Sequence, residues 1–351
     1  MFSILPANAP PDHTPTISCS GDIGATDPVA VVELKGAQIV MRDYRDAANP
    51  RTVCQFGDGD EYLVQLIDAR HVVVEHCGEG GCVYAVVDLP EVRYHWFALP
   101  RSQSTSFIAV SPGLDEVAWS STRGLDFDKQ ERRLHLTRED GDHVVARLLP
   151  VGGRCGSGDD SKSGAYSRSG RHFYALDVPI AQDTVFVGLR GLERVFMFRP
   201  PHSGWPMNDH PAQPVWSPVS ETLYYRRTGS VWKWTPSGGE RLFLPDVFWQ
   251  FPSISPDGRY LAYAVLREDG VNHDAYLLDL ERGGAPRLIG ENRNLPTFLT
   301  PTQLWLKTET GTGCISDHRP EPIIYDINEG AESRSIIQNL RFVWPATSST
   351  S

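Results

Sequence analysis

Pro252-Ser253-Ile254-Ser255-Pro256-Asp257-Gly258-Arg259-Tyr260-Leu261-Ala262-Tyr263-Ala264 reads as a short strand, a tight turn and a second strand. The turn chemistry is specific. Proline presets φ, aspartate can bond its own backbone, and glycine accepts a positive φ. Downstream, Ala275-Tyr276-Leu277-Leu278-Asp279-Leu280 and Pro286-Arg287-Leu288-Ile289 supply a third and a fourth strand, so four strands fit into about 40 residues.

The unit recurs in degenerate form. Pro214-Val215-Trp216-Ser217-Pro218 is followed by strand-like runs at 222–226, 231–235 and 241–244. Ile108-Ala109-Val110-Ser111-Pro112, Ala165–Gly170 and Phe298-Leu299-Thr300-Pro301 open similar series. Marking each first strand by one residue (Gln65, Val110, Ser167, Trp216, Ile254, Leu299) gives steps of 45, 57, 49, 38 and 45 residues. One more step of 44 lands on Val343, in Arg341-Phe342-Val343-Trp344-Pro345, as an orphan first strand. Near the other end, Val29–Leu34, Gln38–Tyr44 and Arg51–Phe56 form three strands that lack a first. Joining the two completes a blade, ties the termini together and removes a sheet edge. The expectation is an all-β chain, a single β-propeller of seven four-stranded blades. Six or eight blades follow if a long loop is misread. Residues 1–25 read as a loose leader rich in proline, 26–346 as the propeller, and 347–351 as a disordered tail.

Ser255–Tyr263 resembles the WD40-like repeat of TolB-type propellers. Asn272-His273-Asp274-Ala275-Tyr276-Leu277-Leu278-Asp279 is similar to that family's Asn-x-Asp-(apolar)-Tyr-x-x-Asp stretch. One blade matches well, two or three match loosely, and the rest follow by spacing. The resemblance implies the fold and leaves the activity open. Similar blades occur in protein-interaction modules, in the propellers of prolyl-oligopeptidase-type peptidases and in sugar-acid lyases. The Asp-Gly turn is replaced at Pro112-Gly113-Leu114-Asp115 and at Pro218-Val219-Ser220-Glu221. No G-x-S-x-G nucleophile elbow occurs and no hydrolase-like stretch follows, which disfavours a peptidase of that type.

Composition narrows the function classes. The 351 residues are 40% apolar and 22% charged, as in ordinary globular domains, with a net charge of −11. No Lys/Arg stripe tracks phosphates, so nucleic acid is disfavoured. No run approaches the ~20 apolar residues of a membrane span. Met1–Ser20 has no basic segment followed by an apolar run, so it is not an intact secretory signal. The expected location is the cytoplasm, or the periplasm or exterior for a mature chain. Of six cysteines, Cys77 and Cys82 flank a Gly-rich turn and can form a cross-strand disulfide or stay free. Cys19, Cys54, Cys155 and Cys314 show no framework spacing.

In a propeller, the loops after the fourth strand and between the second and third share one face around the channel mouth. His202–His210, with Trp205 and His210, and Phe248-Trp249-Gln250-Phe251 enter consecutive blades there. Large aromatics at such a mouth either stack on a ligand or partner, or pack between blades. Arg123 opens the acidic loop 123–131, whose Asp126 and Asp128 fall short of a calcium-loop pattern. His273-Asp274 and Asp317-His318 sit before third strands in adjacent blades. Imidazole and carboxylate can hold a divalent metal, whereas Asn272 and Asp274 equally fit turn capping. The Gly-rich stretch 152–164 reads as a mobile connection. The functional expectation is a non-catalytic scaffold that holds a protein segment or small ligand at the channel mouth. The alternative is a lyase or hydrolase, metal-assisted or not, acting on a carbohydrate or other small polar substrate.

Overall fold

Ser255 explains why the decisive stretch turns where it does. Its N–H donates to the Tyr260 carbonyl (2.8 Å), and its carbonyl accepts from the Gly258 N–H (2.8 Å). The Tyr260 N–H donates back to the Ser255 hydroxyl (2.8 Å). One buried serine thus satisfies both ends of a tight reversal. Gly258 holds φ at 76°, and a Cβ there would clash with Val219 Cγ2. The i-to-i+5 bond repeats at Ser111–Glu116, Ser167–His172 and Ser217–Thr222, each with a buried serine. The position of Gly258 is taken by Gly170 (φ 71°) and by Leu114 (φ 57°). The degenerate Pro-Gly-Leu-Asp copy therefore keeps the turn by forcing a leucine into a left-handed conformation, at a cost of ~1–2 kcal/mol.

The computed structural model describes residues 17–19, 30–34, 38–43, 46–56, 60–68, 70–78, 81–89, 91, 93–99, 104–123, 131–148, 164–177, 185–198, 214–227, 229–269, 272–307, 321–335, 337, 340 and 342–344. Among them there are strands and turns and no helix. The first strands are β1 (Ser18–Cys19), β2 (Ala30–Leu34), β3 (Gln38–Asp43) and β4 (Asp46–Gln55). Next come β5 (Asp60–Leu66), β6 (His71–Gly78), β7 (Gly81–Asp88) and β8 (Arg93–Phe97), then β9 (Ser104–Val110), β10 (Val117–Arg123), β11 (Glu131–Arg138) and β12 (Gly141–Leu148). The series continues with β13 (Gly164–Tyr166), β14 (His172–Asp177), β15 (Val185–Arg190) and β16 (Glu193–Phe198), then β17 (Val215–Trp216), β18 (Leu223–Arg227), β19 (Ser230–Thr235) and β20 (Gly239–Leu244). The last are β21 (Trp249–Ile254), β22 (Tyr260–Leu266), β23 (His273–Asp279), β24 (Arg287–Gly290), β25 (Asn294–Thr300), β26 (Gln303–Lys307), β27 (Pro322–Asp326), β28 (Ala331–Arg334) and β29 (Phe342–Trp344).

Each consecutive group of four from β5 to β28 is one antiparallel four-stranded sheet, giving six sheets. The seventh has the order β1-β4-β3-β2-β29. These are the blades of a seven-bladed β-propeller, as the repeat spacing requires. Closure occurs as expected: Ala30, Val31 and Val32 pair with Trp344, Val343 and Phe342. Within the stretch read as a leader, Ser18–Cys19 add a fifth strand, and Cys19 faces Cys54 in register and is disulfide-bonded to it. Spacing could not show that bond, because a separation of 35 residues identifies no strand pairing. Cys77 and Cys82, opposite each other across the β6–β7 hairpin, form the second disulfide.

The chain falls into two compact units, one holding β5 to β16 and the other β17 to β29. In each, neighbouring sheets pack face to face. In the first unit, Val117 and Trp119 of β10 join Val73, Tyr84, Val86 and Phe97 of the preceding sheet. Ala118, one residue out of phase, joins Phe173, Ala175 and Val187 of the following sheet. This period-two alternation lets a central strand serve two cores, so Val117, Ala118 and Trp119 are apolar in succession. In the second unit, Leu261 and Tyr263 of β22 pack with Tyr224 and Val231, while Ala262 packs with Phe298 and Leu304.

Candidate functional site

Two sequence-selected stretches meet at the head of β21. Trp249 is wholly buried, its indole 5.9 Å from the Tyr263 ring. It therefore serves the core between blades. Burial, reinforced by Tyr276, pushes the Tyr263 hydroxyl well above its ordinary pKa and keeps it protonated. Phe248 is half-buried beneath Arg226, whose guanidinium carbon lies 3.7 Å from the ring centroid. Arg226 is itself buried and donates to the Trp249 carbonyl (3.2 Å). Nothing in the Leu223–Arg227 run of the sequence distinguishes this arginine.

Gln250 reaches His273. The His273 Nε2 and Gln250 Oε1 atoms are 2.9 Å apart, so Nε2 carries the proton and donates. The two residues lie on β21 and β23, with β22 between them. Gln250, Ala264 and Ala275 share one row across the three strands, and alanine in the middle leaves room for the longer side chains to meet. The Phe251 ring stands edge-on to the imidazole at 6.0 Å.

The ladder breaks at the same place. Gln250 pairs with Ala264 and Ser253 with Ala262, leaving Phe251 and Pro252 as a bulge. The next blade repeats this. Asn294 pairs with Lys307 and Thr297 with Trp305, and Leu295-Pro296 bulges out. Phe251 and Leu295 both hold φ at 50°. Large side chains at positive φ cost of order 1–3 kcal/mol and cluster at functional positions. Bulges re-aim side chains at sheet rims. The signal was available in the sequence as Gln250-Phe251-Pro252-Ser253 and Asn294-Leu295-Pro296-Thr297, an apolar-Pro pair repeated 44 residues apart.

Asp274 turns to the other face of β23, as adjacent strand residues must. Its Oδ1 accepts the Asn292 N–H (3.1 Å) and lies 3.6 Å from Arg267 Nη1. Asn272 donates to Asp269 from its backbone (2.9 Å) and side chain (2.7 Å). His273 and Asp274 therefore serve a cross-strand bond and a turn cap. Among the described residues, the one set of three possible ligands close enough to share an ion is Glu75, Cys77 and Cys82, and both of its sulfurs are in the disulfide. Trp205, His210, Asp317, His318, the loop residues Asp126 and Asp128, Cys155 and Cys314 lie outside the described residues. Arg123 ends β10, paired in register with Glu131.

A second cluster, in the first unit, has the order of a catalytic triad. His135 Nε2 lies 2.8 Å from Ser121 Oγ, and His135 Nδ1 lies 2.8 Å from Asp142 Oδ2. Thr137 donates to Asp142 Oδ1 (2.9 Å) and accepts from Trp119 Nε1 (2.8 Å). The imidazole is buried and stacked on the Trp119 ring at 3.8 Å. Acyl transfer also needs backbone donors aimed at a developing oxyanion. Ser121 sits between Thr105 and Arg133 in mid-sheet, where backbone N–H groups are spent on the ladder. The cluster is a clamp across β10, β11 and β12.

No family model matches the sequence, and no curated protein matches it. Solved structures do share its fold. One from a study of two prolyl endopeptidases aligns at a TM-score of 0.52 with 11% identity, covering 88% of this chain and 50% of that one. The chain thus spans about half the length of that peptidase. The β-propeller domain of the Trilobed protease from Pyrococcus furiosus aligns at 0.47 with 11% identity, covering 79% and 84% of the two chains. TolB from Acinetobacter baumannii aligns at 0.39 with 13% identity, covering 91% and 83%. At these identities the likeness concerns fold alone. No helix among the described residues is long and apolar enough to cross a membrane.

Proposed function

We propose that the chain is a non-catalytic binding module that holds an extended protein segment against the surface around Phe248, Gln250 and Phe251. The observation that carries this reading is the repeated bulge. Two successive blades each hold a half-buried apolar residue at positive φ beside a proline, at the start of the first strand. Glycine would hold such a φ without steric cost, so an apolar side chain is kept there for its contacts. The hydrogen bond from His273 to Gln250 fixes the polar neighbour of Phe251, so the surface is rigid before a partner arrives. Rigid surfaces lose less entropy on binding. The two disulfides fit an oxidising compartment, where such bonds persist.

Selection of a random peptide phage library on the full chain tests the reading. Peptides enriched on the wild type and lost on Phe251→Asp, with both proteins melting alike, support it. Equal recovery on the two proteins rejects this surface as the binding face.

A further inference from the structure

β23 runs from His273 to Asp279, one strand length of ~20 Å. Its far end carries different chemistry. A cavity of about 510 Å³ opens there, lined by Arg259, Tyr260, Arg282, Arg287 and Ile327. The one carboxylate in its wall, Asp279, is fully engaged. Its Oδ2 accepts from Arg259 Nε (3.3 Å) and Nη2 (3.2 Å). Its Oδ1 accepts the Glu281 and Arg282 N–H groups, both at 3.0 Å. Glu281 is exposed, 3.6 Å from Arg259 Nε. Arg259 is thereby neutralised, and its guanidinium lies over the Tyr260 ring at 4.8 Å.

Arg282 and Arg287 remain. The carboxylate nearest to Arg282 is Asp279, at 4.0 Å. Arg287 donates to the Ile327 carbonyl at 3.4 Å and, among the described residues, forms no ion pair. One guanidinium with only a long ion pair and one with none among the described residues thus border one cavity in a chain of net charge −11. Gly283 and Gly284, at φ 70° and 100°, leave the hairpin beside them open, with no atom within 4 Å of where a Cβ would stand. Tyr260 and Leu277 add apolar wall.

We propose that this cavity binds the oxyanion of a small organic phosphate or carboxylate, with Arg282 and Arg287 holding the anion and Tyr260 lying against its apolar body. The guanidinium fork matches both oxyanions in geometry and charge. This site is separate from the peptide-binding surface and does not depend on it.

Isothermal titration of the full chain with phenyl phosphate, benzoate and inorganic phosphate tests the assignment. It is run in about 150 mM salt, where exposed charges are screened beyond ~8 Å. One-site saturable binding is expected, tighter for an aromatic probe than for inorganic phosphate, and the preferred aromatic probe tells phosphate from carboxylate. Arg282→Gln and Arg287→Gln are each expected to weaken binding about tenfold or more, as loss of a charged hydrogen bond does. Arg171→Glu, an exposed change in the first unit, is expected to leave binding unchanged. The proposal fails if no probe saturates, if both glutamine variants bind like the wild type, or if Arg171→Glu weakens binding equally. Melting curves confirm that each variant is folded, and Arg282 is exposed enough for its variant to fold regardless.

Discussion

His273 Nε2 donates to Gln250 Oε1 across 2.9 Å, joining the third strand of one blade to its first over the alanine row of the strand between. The bond sets both side chains beside the Phe251 bulge. Gln250→Ala removes the acceptor from a buried imidazole, which should cost about 1–3 kcal/mol. Urea denaturation should show a lower midpoint with an unchanged slope, and peptide binding should fall as well.

The Trp119–Thr137–Asp142–His135–Ser121 network should behave as a clamp. Thr137→Val breaks two of its hydrogen bonds and should cost about 1–3 kcal/mol in chemical denaturation. A fluorophosphonate probe should leave Ser121 unlabelled in the folded protein, as read by mass spectrometry of the peptide that contains it. Labelling at Ser121 would reopen a hydrolase reading.

The two disulfides close loops of different size, with separations of 35 and 5 residues. In the chain-entropy account, losing the Cys19–Cys54 bond costs about 4 kcal/mol and losing Cys77–Cys82 about 2 kcal/mol. Cys54→Ser should therefore lower the melting temperature more than Cys82→Ser, in calorimetry under non-reducing conditions.

Ending the chain before Phe342 removes β29 and bares the edge of β2. An unpaired edge is a template for other chains. The truncated protein should melt earlier and elute partly as multimers in size-exclusion chromatography.

The Arg282 amide, then the Arg259 guanidinium and the Glu281 amide, hold the Asp279 carboxyl below its ordinary pKa despite some burial. A depressed carboxylate contributes stability above its unfolded pKa, about 4, and loses it as pH falls through the lower folded value. The melting-temperature gap between wild type and Asp279→Asn should hold steady near neutrality. It should narrow as the pH falls below about 4.

The blades are legible in the local sequence pattern. A turn and alternating apolar residues recur often enough that Gln65, Val110, Trp216, Ile254 and Leu299 fall in the first strands of their sheets, and Ser167 directly follows its own. The closing blade was legible too, because three strands without a first and one first without three can satisfy their backbones only together. These are local signals, since turn geometry and period-two burial act within a few residues. Which side chains meet follows only from the assembled sheets. Gln250 with His273, Ser121 with His135 and Asp142, and Cys19 with Cys54 are pairings across a sheet. They depend on register, and a shift of one residue would send every one of these side chains to the opposite face. The same rule parted His273 from Asp274. They are neighbours in the sequence, yet strand geometry gives one to a cross-strand bond and the other to a turn.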